Sequence, residues 1–212
     1  MVTKKRANVW IAILTWILVA AALLVHYSFS PWGYYWKVDP AEQKLRDSVV
    51  KQAESCLGVN EPDGSHMRIV DLYNSQEVLP MGYTLQQSDS WCAAFVTTIA
   101  IQQNLTDIIP PECSCQRQIE LFKTLGHWEE RDNAIPLPGD IIYYDWEENN
   151  PFDDCTGWSD HVGIVAGTKW PFIKVIEGNK DDCVSYRCIL LNDVHIRGFA
   201  KPDYGAVAKN TP

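Results

Sequence analysis

Positive charge is scarce in this chain and unevenly placed. Its 212 residues hold 18 Lys and Arg against 27 Asp and Glu, a formal net charge of −9. Three of the basic residues, Lys4, Lys5 and Arg6, stand within the first thirty positions, which contain no acid. The remainder sets fifteen basic against twenty-seven acidic residues, a net of −12. A body this acidic excludes nucleic acid as a partner, because phosphate affinity comes from Lys and Arg and the counterions they release. Internal repeats, low-complexity tracts and a second globular domain are also missing. One well-cored domain with a short appendage is therefore expected. No Cys-x-x-Cys pair occurs: Cys113-x-Cys115 comes nearest and has no matching pair after it, which argues against zinc. Aromatic residues, by contrast, are plentiful, with nine Trp and nine Tyr, and favour an ordered fold.

One long apolar run is present. Residues 9–25 read VWIAILTWILVAAALLV and continue without charge to Phe29. With its flanks the run reaches the ~20 residues that cross a bilayer. Lys4, Lys5 and Arg6 precede it and should stay cytoplasmic, which puts the C-terminal body outside. A cleaved signal peptide is the rival reading. Ala20, Ala21 and Ala22 lie inside the run, however, and Ser28-Phe29-Ser30 is followed by Pro31. The expected order is a cytoplasmic N-terminus at 1–8, an uncleaved transmembrane signal anchor at 9–29 and a juxtamembrane linker at 30–39. A catalytic domain at 40–205 and a frayed tail at 206–212 follow. Tyr34, Tyr35 and Trp36 in the linker suit a membrane–water interface.

Seven cysteines fit an exported body, and their odd number suggests pairing with one thiol left over. If Cys92 is free, Cys56, Cys113, Cys115, Cys155, Cys183 and Cys188 remain, which allows about fifteen connectivities. Two or three disulfides, or six reduced core thiols, stand as equal alternatives. Neighbours in Cys-x-Cys rarely bond each other, so Cys113 and Cys115 are expected to reach elsewhere, with Cys183 and Cys188 as candidate ends.

Helical spacing runs from 40 to 57, where Leu45, Val49 and Ala53 lie four apart and Gly58 is a stop. A short helical turn is expected at 67–73, a helix opened by the stretch 90–96 and running to about 103, and another helix at 115–125. Beyond Pro138 the period becomes two, predicting five strands at 140–146, 161–168, 172–177, 185–191 and 196–200. Helices first and an antiparallel sheet afterwards mean an α+β fold.

Cys92 stands at the predicted start of a helix, where free N–H groups and the helix dipole stabilise a thiolate. The same N–H groups can hold the oxyanion formed when a carbonyl is attacked. His161 opens a strand, from which its ring can reach a helix start packed on the sheet. The imidazole needs an acceptor to fix its tautomer. Glu177 and Asn179 end the next strand, two positions apart and so on one face. Cys at a helix start with His on a strand is the arrangement of papain-type nucleophilic catalysis.

In wording and order the sequence resembles a CHAP domain (cysteine, histidine-dependent amidohydrolase/peptidase) of the papain-like, NlpC-type superfamily. The matching stretches are SWCAAFV at 90–96, LPGDIIYYDW at 137–146, DHVGIV at 160–165, VIEGN at 175–179 and IRGFAKPDY at 196–204. The resemblance implies a papain-like α+β fold with N-terminal helices on a five- to six-stranded antiparallel sheet. It also implies hydrolysis of peptidoglycan amide or peptide bonds, with no metal or cofactor in the chemistry. Cys92 would be nucleophile, His161 general base and acid, Glu177 the residue orienting the imidazole, and Asn179 its assistant. Pro138-Gly139-Asp140 is expected to be structural. Some members bind calcium through closely spaced Asp residues, but here only Asp89 stands near Cys92. The acidic loop at 147–154 reads better as solvated than as a calcium site.

Gln86 or Gln87 is a further candidate oxyanion donor. His66, His127 and His195 lack a partner pattern, and Asn104-Leu105-Thr106 is a chance sequon. The acidic body would be repelled by anionic wall polymers, so tethering is expected over free adsorption. A catalytically silent envelope-binding factor and an amidohydrolase of another peptide-like substrate remain as alternatives.

Overall fold

The computed structural model describes residues 13–20, 38–131, 133–150 and 155–210. The chain divides into two compact units, residues 1–38 and 39–212. In the first unit, residues 13–20 are helical and expose apolar side chains such as Trp16 and Leu18.

The expected transmembrane helix is not supported. Among the described residues no helix is long and apolar enough to cross a membrane. The rest of that expectation, the cytoplasmic 1–8 and the aromatic cluster at 34–36 lie outside the described residues.

The second unit is α+β. Helix α1 (Pro40–Glu54) begins where Asp39 caps it, Oδ1 accepting the N–H of Ala41 at 2.8 Å. Helix α2 (Met67–Asn74) and a 3₁₀ turn (Pro80–Gly82) follow, then α3 (Cys92–Gln102) and α4 (Cys115–Leu125). Ser114 caps α4, and Gly126 ends it in the left-handed conformation at φ 74°.

Strands β1 (Trp128–Glu129), β2 (Ile141–Tyr144), β3 (His161–Lys169), β4 (Phe172–Lys180), β5 (Cys183–Leu190) and β6 (Ile196–Ala200) form one sheet. Their order is β1-β6-β2-β3-β4-β5, antiparallel throughout. Strand β1 is too short for a periodic signal and exists through its pairing of Trp128 with Ala200 and Glu129 with Phe199.

Helix α3 packs on β3 and β4, and α1 lies against α3. The main core joins Val49, Phe95, Val96 and Ile99 of these helices to Ile141, Tyr143, Val162, Ile164 and Ile176 of the sheet. The opposite sheet face carries a smaller cluster that includes Ile142, Tyr144, Val165, Val175 and Phe199. Alternation along each strand thus feeds both faces.

The expected frayed tail is in part a helix, α5 (Tyr204–Asn210). Tyr204 is wholly buried, its hydroxyl donates to Gly139 O at 2.7 Å, and the Arg46 guanidinium lies 4.7 Å from its ring. Arg46 in turn donates to Asp140 Oδ1 at 2.7 Å, while Asp140 Oδ2 accepts the Leu137 N–H at 2.9 Å. Pro138-Gly139-Asp140 therefore ties α1, α5 and the start of β2 together.

Candidate active site

The Cys92 side of the site is built from two helix starts. Trp91 precedes α3 at φ −113°, ψ 16° without a side-chain cap, and Phe95 N–H is the one that donates to Trp91 O. The N–H groups of Cys92, Ala93 and Ala94 thus have no carbonyl behind them in the helix. Gly178 lets this first turn sit close to β4. A Cβ there would stand 2.5 Å from Phe95 Cβ and 2.9 Å from Trp91 Cζ3, closer than real side chains allow. Trp91 is buried, with its indole N–H donating to Glu61 Oε1 at 2.9 Å.

Cys115, at the start of α4, brings its Sγ to 3.6 Å from Cys92 Sγ. The Cys92 thiol is held well below the ordinary thiol range, first by the hydrogen bond from Cys115. Burial opposes this, while His161 and the Ala93 N–H reinforce it. Cys115 moves the other way: donating to Cys92, and buried, it holds its own proton well above the usual range.

The His161 side of the site is built from three strands. His161 opens β3, and its Nε2 lies 3.1 Å from Glu177 Oε2 on β4. The same ring interacts with Cys92 by hydrogen bond and charge. Glu177 is fully buried, in space that Gly163 provides, since a Cβ at 163 would come within 2.7 Å of Glu177 Cγ. Arg187 on β5 donates from Nε to both carboxylate oxygens, at 2.7 and 2.9 Å. Its guanidinium lies 4.6 Å from the Trp146 ring centre and 5.7 Å from that of Tyr144, and Tyr144 stacks 5.8 Å from the His161 ring.

Burial works against charge on His161, yet Cys92 and Glu177 overcome it and push its pKa up to about 9. Burial likewise favours the protonated form of Glu177. The hydrogen bonds and charges of His161 and Arg187 outweigh that and hold its carboxyl below the usual range. The site thus favours a thiolate, an imidazolium, a carboxylate and a guanidinium in sequence.

Cys92, His161 and Glu177 come together as expected. Asn179 does not join them: among the described residues it makes no hydrogen bond to the imidazole. The strand pairing shifts between Glu177 and Lys180, and Asn179 turns left-handed at φ 57°. The bulge breaks the alternation that would have put Asn179 on the face of Glu177. The Gln86 side chain is also turned away, its amide donating to Thr84 O at 2.7 Å. Gln87 is exposed and offers its backbone carbonyl to His66 Nε2 at 3.2 Å. His195 pairs with Asp193 at 2.8 Å. Of the acidic loop at 147–154, positions 151–154 lie outside the described residues. Among the described residues no three His, Cys, Asp or Glu side chains are placed to hold a metal ion.

Of the two alternatives left open for the cysteines, disulfides are not formed: all seven thiols are free. Cys183 and Cys188 share β5 at an odd spacing and so point to opposite faces. Cys115 reaches the very thiol that sequence reasoning had set aside as unpaired. Arg187 was missed altogether. It lies opposite Val175, diagonal to Glu177, and only strand register reveals that neighbour. No family model, curated protein or solved structure matches the chain.

Proposed function

We propose that the protein is a cysteine amidohydrolase or peptidase acting on the peptide portion of peptidoglycan, on a fold of the CHAP type. The observation that carries the proposal is Cys92 at an uncapped helix start, paired with an imidazole whose charged form Cys92 and Glu177 favour, while Arg187 anchors the Glu177 carboxylate. The substrate is extracytoplasmic, and so is the place of action.

The Cys92 thiolate attacks the scissile carbonyl carbon, and the carbonyl oxygen takes the negative charge. N–H groups at the start of α3 stabilise that oxyanion. His161 gives its proton to the departing amine nitrogen, and the C–N bond breaks to leave an acyl-thioester. Neutral His161 then takes a proton from water, whose oxygen attacks the thioester. The carboxylate product leaves, and Cys92 returns as thiolate. Glu177 fixes the tautomer of the imidazole. A cavity of ≈ 450 Å³ lined by Glu61, His66, Gln86, Gln87 and Ser88 lies along the segment leading to Cys92 and offers room for a polar peptide.

The test is mass spectrometry of fragments released from several wall types by the purified protein, with Cys92→Ser as control. Release of free amines or peptide-bearing fragments by the wild type alone is expected. Equal silence of both proteins on every wall type, with Cys92 resisting iodoacetamide, would overturn the proposal. Turnover of small peptide amides without any wall fragment would instead place the substrate elsewhere.

A further inference from the structure

The hydrolytic cycle uses Cys92 and leaves Cys115 without a chemical task. Yet the two sulfurs lie 3.6 Å apart, and both residues are buried. A disulfide is about 2.05 Å long, so closing the pair takes roughly 1.6 Å of combined sulfur movement. Both cysteines stand on the first residue of a helix, joined to the preceding chain rather than locked inside a helical run. Cys92 and Cys115 are 4% and 7% exposed, so each keeps a small share of its surface open to solvent. Cys113, two residues before Cys115, stands against Tyr73 and Glu112 instead.

We propose that Cys92 and Cys115 form an oxidative modification site, at which a hydroperoxide converts Cys92 to a sulfenic acid and Cys115 captures it as a reversible disulfide. The proposal rests on reading Cys92 as a reactive thiolate. In the first step Cys92 Sγ attacks one peroxide oxygen, an S–O bond forms and the O–O bond breaks. The leaving hydroxide takes the proton of the His161 imidazolium and departs as water. The Cys92 sulfur is then neutral, which removes the charge that kept Cys115 protonated.

In the second step Cys115 gives its proton to His161 and attacks Cys92 Sγ. The S–S bond forms, the S–O bond breaks, and the released hydroxide recovers that proton as a second water. Two thiols and one peroxide thus become one disulfide and two waters. The disulfide blocks the nucleophile and also keeps it from irreversible sulfinic acid, so a thiol reductant can return it to service.

The experiment treats the reduced full-length protein with hydrogen peroxide, alkylates with iodoacetamide and maps peptides without reduction. The Cys92 peptide is expected joined to the peptide carrying Cys113 and Cys115, about 2 Da below their sum, as two thiols lose their hydrogens. The same product is expected in Cys113→Ser, and dithiothreitol should restore full iodoacetamide labelling of Cys92. In Cys115→Ser the same dose should carry Cys92 about 32 Da higher, to sulfinic acid, beyond recovery by dithiothreitol. Should Cys115→Ser misfold, Cys115→Ala and the wild-type map carry the test.

Wild-type Cys92 overoxidised as readily as in Cys115→Ser would overturn the proposal. So would Cys92 linked to another cysteine, or left intact while exposed Cys188 is oxidised. The readout needs no substrate: a disulfide without wall fragments sinks the hydrolase reading alone, and wall fragments without a disulfide sink this one alone.

Discussion

Cys92 is held by the chain beside it, whereas His161 is held by a carboxylate sixteen positions away and an arginine on a third strand. The thiol takes its place from a helix start, a local property of residues 91–94, and its lowered pKa first from Cys115 at a second helix start. The imidazole depends on how β3, β4 and β5 are aligned, a property no short stretch of chain possesses. A nucleophile of this kind survives small shifts of the sheet. A base of this kind loses its charge balance if one strand slips.

The largest effect should come from removing the local half outright. Cys92→Ala is expected to lower wall-fragment release by ~10⁴-fold or more, since the covalent route is then closed. Initial rates on a sensitive wall type are the check. On the register-dependent half, Glu177→Gln should cost about 10²-fold or more in kcat, because the imidazolium loses its counter-charge and the buried Arg187 contact is left unbalanced. Asn179→Ala should stay within about threefold, since its side chain does not reach the imidazole. An equal loss in both variants would restore Asn179 to the machinery and break the comparison.

Arg187→Gln should lose about tenfold at neutral pH and shift the acid limb of the rate profile upward, because Glu177 regains its proton more easily. Arg187→Lys should recover part of the loss. A pH profile unmoved by Arg187→Gln would show that the guanidinium is only a packing element. Gly178→Ala probes the seam between the halves. Its Cβ would meet Phe95 and Trp91, and a loss of about 1–3 kcal/mol in unfolding free energy is expected from denaturant melts.

Stability should follow the same charges. His161, raised to about 9, contributes stability that is complete below its unfolded pKa near ~6.5 and is lost as pH climbs through 9. Glu177, held low, contributes above its unfolded value near ~4.3, and that share is lost as pH falls through its folded value. Denaturant midpoints across this range, wild type against Glu177→Gln, would show the acid-side share disappear in the variant.

The same division explains what could be read in advance. Helix α4, with Ser114 before it and Gly126 after it, was legible because its stops are local. The Cys92, His161 and Glu177 set was legible from its order along the chain. Arg187, Cys115 as a neighbour of Cys92, the bulge at Asn179 and strand β1 were not legible, because each exists only once distant segments pair. Helix α5 was missed for a related reason: seven residues that include Gly205 are a weak helix until Tyr204 is buried under Arg46. The transmembrane expectation rested on the apolar run, its basic flank and the lack of a cleavage site, and no described helix supports it.

The central claim is the Cys92–His161 ion pair, and the pH dependence of Cys92 alkylation tests it most directly. Labelling by iodoacetamide, followed on the Cys92 peptide by mass spectrometry, should stay fast through neutral pH and fall only in acid. In His161→Gln the transition should move up toward the ordinary thiol range near ~8.5. A wild-type thiol that titrates near ~8.5 and does not respond to His161→Gln would contradict the account.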